Sequence, residues 1–155
     1  MTRLNGLRRS RLALGGLLAV ALAAAWGAAA VAHHAFGAEF DKDAPIKLKG
    51  KIVRLEWVNP HTWIHLEIAR DDGSTEVWMV EGGTPNVLLR RGLRRDCLTP
   101  GTVIVVDGYQ AKDHSLKRAN GRDVTFEDGN KIFMGSSGTG APDEAQRQNI
   151  ERGRC

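Results

Sequence analysis

The chain has 155 residues, with 22 Lys and Arg against 18 Asp and Glu and 42% hydrophobic residues, which suffices for one modest domain. The first 32 residues hold four arginines and no acid, so beyond them basic and acidic residues balance at 18 each. The high isoelectric point thus belongs to the start of the chain, and overall charge gives no argument for a nucleic-acid partner.

Arg3, Arg8, Arg9 and Arg11 form a basic head, Leu12 to Ala32 carries no charge, and Ala30-Val31-Ala32 has the small-x-small pattern of a signal-peptidase site. Residues 1–32 therefore read as a secretory signal peptide. As an uncleaved helix the apolar run would span ~31 Å, enough to cross a bilayer core, but its Ala and Gly content favours cleavage. Cleavage makes His33 the mature amino terminus and predicts a periplasmic or secreted protein, with membrane contact only through an uncut leader. Cys97 and Cys155, an even pair in an exported chain, permit a disulfide without fixing one.

Residues 33–44 show no clear period and read as an arm held by Phe36 and Phe40. Ile46 to Val58 is the first predicted strand, with Val53, Leu55 and Trp57 alternating with Arg54 and Glu56. Asn59-Pro60 breaks it. A second strand, about Thr62 to Ala69, places Ile64, Leu66 and Ile68 on one face and Trp63, His65 and Glu67 on the other. Asp71-Asp72-Gly73 is a hairpin signal leading to a third strand, about Thr75 to Glu81. Trp63 and Trp78 are expected to pair across these two strands, while Trp57 is assigned to the core.

Thr84 as N-cap, Pro85 at the first helical position and Gly92 as C-terminal stop predict a short helix. Val103 to Tyr109, apolar on both faces, reads as a central strand. A fifth strand covers about Arg122 to Glu127, and Asp128-Gly129 turns it into a short hairpin through Lys131 to Met134. From Gly135 the composition turns polar, and residues 136–155 read as a disordered tail. The order predicts an all-β fold over residues 45–135, a small five-stranded OB-like barrel with one short helix between strands 3 and 4. An antiparallel sandwich is the alternative.

The candidate chemistry lies in the histidines, because neutral imidazole is a good ligand for copper, zinc or nickel. His61 and His65 on one extended strand would be ~13 Å apart, too far to share an ion. His65 reads as a surface residue beside Trp63, and His61, in the Asn-Pro turn, can point elsewhere. The amine and imidazole of His33 can close a chelate ring. His34 lies beside it, and His61 can complete a T-shaped set that suits Cu(II), with Glu39, Glu81 or Asp41 as outer partners. The bland alternative is a solvated arm and a histidine that bonds only its own turn. Ser74, Ser115, Ser136 and Ser137 lack a nucleophile elbow. The glycine-rich run from Gly135 lacks the Lys-Ser/Thr ending of a phosphate loop. The arginines at 90, 91, 94 and 95 form a local basic patch.

His33-His34-Ala35-Phe36, Glu39-Phe40-Asp41, Gly50, Glu56-Trp57-Val58-Asn59-Pro60-His61, Trp78, Glu81, Pro85-Asn86, Leu89-Arg90-Arg91-Gly92 and Gly101 together resemble the signature of an exported bacterial family of unknown function, the DUF6152 proteins. The resemblance implies a periplasmic or secreted domain and supplies no activity. Of the histidines, His33, His34 and His61 fall on its motif positions. More loosely, the strand order is similar to periplasmic OB-fold proteins such as the haem chaperone of cytochrome maturation, whose haem-attachment motif is not recognisable here. The sequence thus predicts an exported, non-catalytic binding module that holds a transition metal, copper, through His33, His34 and His61. An accessory subunit docking an envelope protein through Trp63, Trp78 and Arg90 is the second reading, and an oxidative copper enzyme the third.

Overall fold

A computed structural model describes residues 36–136 and Cys155. The predicted leader, His33, His34 and residues 137–154 lie outside the described residues. The elements are helix α1 (Phe36–Glu39), β1 (Phe40–Glu56), β2 (Thr62–Ala69), β3 (Thr75–Gly82), helix α2 (Pro85–Arg90), a 3-10 turn (Arg95–Cys97), β4 (Val103–Ala111), β5 (Arg118–Phe126) and β6 (Lys131–Phe133).

The sheet runs β3-β2-β1-β4-β5-β6, and a parallel pairing of β3 with β5 closes it. Closure removes the open edges a sandwich would leave and gives the OB arrangement, with the short helix between strands 3 and 4. The described residues form six strands where the sequence predicted five. The extra one, β6, is the predicted hairpin arm, and it pairs with Asp123 to Thr125 of β5. β5 also starts earlier than expected, because Arg118 to Asn120 are the residues that meet β3.

β1 begins at Phe40, before the predicted start, and serves two neighbours. Its first two-thirds pair with β4 and its last third with β2. Bending between two partners requires local irregularity, supplied by register shifts between Phe40 and Pro45 and between Ile52 and Arg54. At Gly50 a Cβ would lie 2.6 Å from the Glu67 carbonyl oxygen, and at Gly108 2.2 Å from that of Asn120. Both glycines are needed for close backbone approach.

The alternation read from β2 and β3 appears in the burial. Ile64 and Leu66 of β2 and Trp78 and Val80 of β3 face the core, while Trp63, His65, Val77 and Met79 face outward. The expected Trp63–Trp78 pairing does not form. Register sets Trp63 opposite Glu81 and Leu66 opposite Trp78, which puts the two indoles on opposite faces. Trp57 is partly buried against the core, as expected.

Helix α2 carries its predicted punctuation. The Thr84 hydroxyl accepts from the Val87 N–H at 3.3 Å, and Gly92 has φ +88°. Leu93 N–H donates to the Leu88 carbonyl and Gly92 N–H to that of Leu89, the paired bonds of a Schellman stop. Leu88 and Leu93 are both fully buried, so the cap doubles as a core contact. Phe36 and Phe40 form a second small cluster with Tyr109 and Ala111, which pins the arm to the outside of β4. Cys97 and Cys155 are joined in a disulfide, Cα to Cα 5.9 Å, which anchors the last residue of the chain beside the Gly92 carbonyl.

Candidate functional site

The β1–β2 corner contains a cis Asn59-Pro60 bond, and His61 immediately precedes β2. Thr62 N–H donates to the Gly83 carbonyl, which sets the start of β2 against the end of β3. This brings the His61 ring over Glu81, the penultimate residue of β3. His61 Nδ1 lies 2.9 Å from Glu81 Oε1, with the two side chains 27% and 8% exposed. Ser136 Oγ reaches the same nitrogen at 3.4 Å. Ser136, read from sequence as part of a disordered tail, is instead buried beside the histidine. The chain before it is tied down where Gly83 N–H donates to the Met134 carbonyl and Gly135 N–H to that of Arg122.

Serine, histidine and glutamate invite a hydrolytic reading, but the geometry opposes it. A nucleophile and an orienting carboxylate must use opposite ring nitrogens, and here both converge on Nδ1. The arrangement instead matches the support given to metal-binding histidines, in which a carboxylate takes one ring N–H and the other nitrogen keeps its lone pair. With Glu81 ionised, the Nδ1 proton is the one donated to it, and Nε2 keeps its lone pair.

Of the three acids expected as outer partners, Glu81 is the one that meets His61. Glu39 lies 3.6 Å from Arg118, whose guanidinium sits 4.5 Å over the Trp63 ring. Asp41 is 3.2 Å from His114 Nε2. The Asp43 N–H and the His114 ring both hold the Asp41 carboxyl below its ordinary value. These contacts fasten the arm: Phe36 by packing, Glu39 through Arg118, and Asp41 through His114.

His65 is not the plain surface residue expected. Its Nε2 lies 2.8 Å from Glu56 Oε1, so it braces β2 to β1. As the spacing argument required, His61 and His65 engage different carboxylates and do not converge. His33 and His34 lie outside the described residues. Among the described residues no group of three His, Cys, Asp or Glu side chains could hold a metal ion, so His61 contributes one candidate ligand. Trp78 leaves the proposed docking face altogether. Its ring is in the core, and its N–H donates to Glu76, whose carboxyl is held low by that bond and by Lys117.

No curated protein matches the sequence. The profile of a family of unknown function, DUF6152, matches residues 19–120, which contain every motif block noted above. The chain therefore belongs to the DUF6152 family.

Proposed function

We propose that the protein is an exported periplasmic binding module for a transition-metal ion, copper, ligated by His61 with the terminal histidines His33 and His34, and that it is not an enzyme. One observation carries this reading: a buried glutamate, Glu81, occupies Nδ1 of a partly exposed histidine and leaves Nε2 as the donor. A histidine that merely bonded its own turn would not need a buried carboxylate from another strand. The basic head and apolar run of residues 1–32 support export, and cleavage after Ala32 would create the chelating amine of His33. When bound, copper would be held by imidazole and amine donors, which suit it.

The test is to express the chain with its leader, confirm by mass spectrometry that the mature protein starts at His33, and titrate it with Cu(II). Binding lost in both His33→Ala and His61→Ala supports the reading. Binding unchanged in either variant contradicts it. The second reading, an accessory subunit for an envelope protein, draws on the exposed Val77 and Met79 of β3. It would be favoured by absence of copper binding together with a specific crosslinked partner.

A further inference from the structure

The geometry points to a second binding site, for an anionic amphiphile with a single acyl chain, in the groove between the end of β1 and the α2–3-10 segment. The groove has a volume of about 680 Å³, within the range of small-molecule sites. Leu55, Leu89, Leu98 and Pro100 give it an apolar lining, and Arg94 and Arg95 stand on its rim. Leu89 is 49% exposed although it lies in a helix whose neighbouring Leu88 is fully buried. An apolar side chain in that position gains from a ligand that takes it out of water.

The charge of the rim selects the headgroup. Arg94 and Arg95 are the two cations of the groove lining, and Asp96 is its one acid. Asp96 is already taken by Arg94, at 2.9 and 3.1 Å. Arg95 has no ionic or hydrogen-bonding side-chain partner among the described residues. An unpaired guanidinium beside an apolar trough fits a carboxylate or phosphate head with its chain laid along the leucines. A neutral or cationic ligand would leave that rim unanswered.

The groove uses none of the residues proposed for copper, so the two readings fail independently. The test is calorimetric titration of the full exported chain with monomeric dodecanoate, with dodecanol and phosphatidylglycerol vesicles as comparison probes. Saturable dodecanoate binding is expected, weakened about tenfold or more in Arg95→Glu and in Leu89→Asp, and about tenfold weaker for dodecanol. Both substituted residues are exposed, and an unchanged circular dichroism spectrum checks that the variants fold. Absence of saturable dodecanoate binding, equal affinity for dodecanol, or unchanged affinity in either folded variant would overturn the proposal. Association with the vesicles but not with monomeric dodecanoate would overturn it too, because the patch would then serve a bilayer surface.

Discussion

His61 and His65 stand four residues apart on one stretch of chain, and each is held by a glutamate, yet the two pairs are built differently. His61 is held through Nδ1 by a buried carboxylate from β3. His65 is held through Nε2 by Glu56, which is 30% exposed and also meets Arg54 at 3.1 Å. The His65 ring is itself only 13% exposed. One pair joins the β1–β2 corner to the end of β3 and leaves its ring 27% exposed, and the other closes a small charge cluster between two strands. Either ring nitrogen can ligate a metal, so the exposure of the ring and the burial of the acid, rather than the presence of histidine, separate the candidate ligand from the brace.

The comparison breaks most sharply by deleting the rings. His61→Ala is expected to lower Cu(II) affinity by about a hundredfold or more, whereas His65→Ala should leave it within about twofold, both read by competitive titration. Next comes the support of each ring. Glu81→Gln should cost about 10–100-fold in copper affinity, the usual penalty for removing the partner of a ligating histidine. Glu56→Gln should leave the affinity alone and lower stability by about 1 kcal/mol or less, as expected of a partly exposed pair. Equal effects of these two substitutions on copper would erase the distinction drawn here.

Much of the scaffold beneath this contrast was legible because its signals are local. Thr84, Pro85 and Gly92 punctuate α2 within nine residues, and the alternation of Ile64 and Leu66 with Trp63 and His65 fixes the faces of β2. What was not legible depends on register. Parity within each strand is compatible with Trp63 meeting Trp78, but the Arg70–Ser74 turn sets Ala69 opposite Thr75. That register gives Trp63 the neighbour Glu81 and sends Trp78 inward. The same register selected Glu81 from three candidate acids as the partner of His61. Ser136 was missed because a glycine- and serine-rich segment looks like a linker, whereas the backbone bonds of Met134 and Gly135 to Gly83 and Arg122, and the Arg91 guanidinium on the Gly135 carbonyl, tie the chain before it to the fold.

Acid should also act on the scaffold, through one carboxylate of β4. At Asp107, burial resists ionisation, but Lys131 and Lys47 outweigh it and hold the carboxyl below its ordinary value of 3.8. A depressed folded-state value means that this contribution to stability is present above the unfolded-state value and is lost as pH falls through the folded one. Lys131→Met should therefore shift acid unfolding to higher pH, a small effect measurable by circular dichroism. If it left the acid transition in place, the Lys131–Asp107 contact at 3.1 Å would be an exposed pair of no consequence.

The central claim is that Glu81 fixes the proton of His61 on Nδ1 and frees Nε2 for a metal. Nitrogen NMR of the protein with labelled histidine, assigned with the His61→Ala variant and titrated with substoichiometric copper(II), whose unpaired electron broadens the signals of a ligating ring, tests it directly. The account predicts a His61 resonance pair with the proton on Nδ1 and loss of the His61 ring signals before those of His65 on adding copper(II). A proton on Nε2, or a ring whose signals ignore the metal, would contradict it.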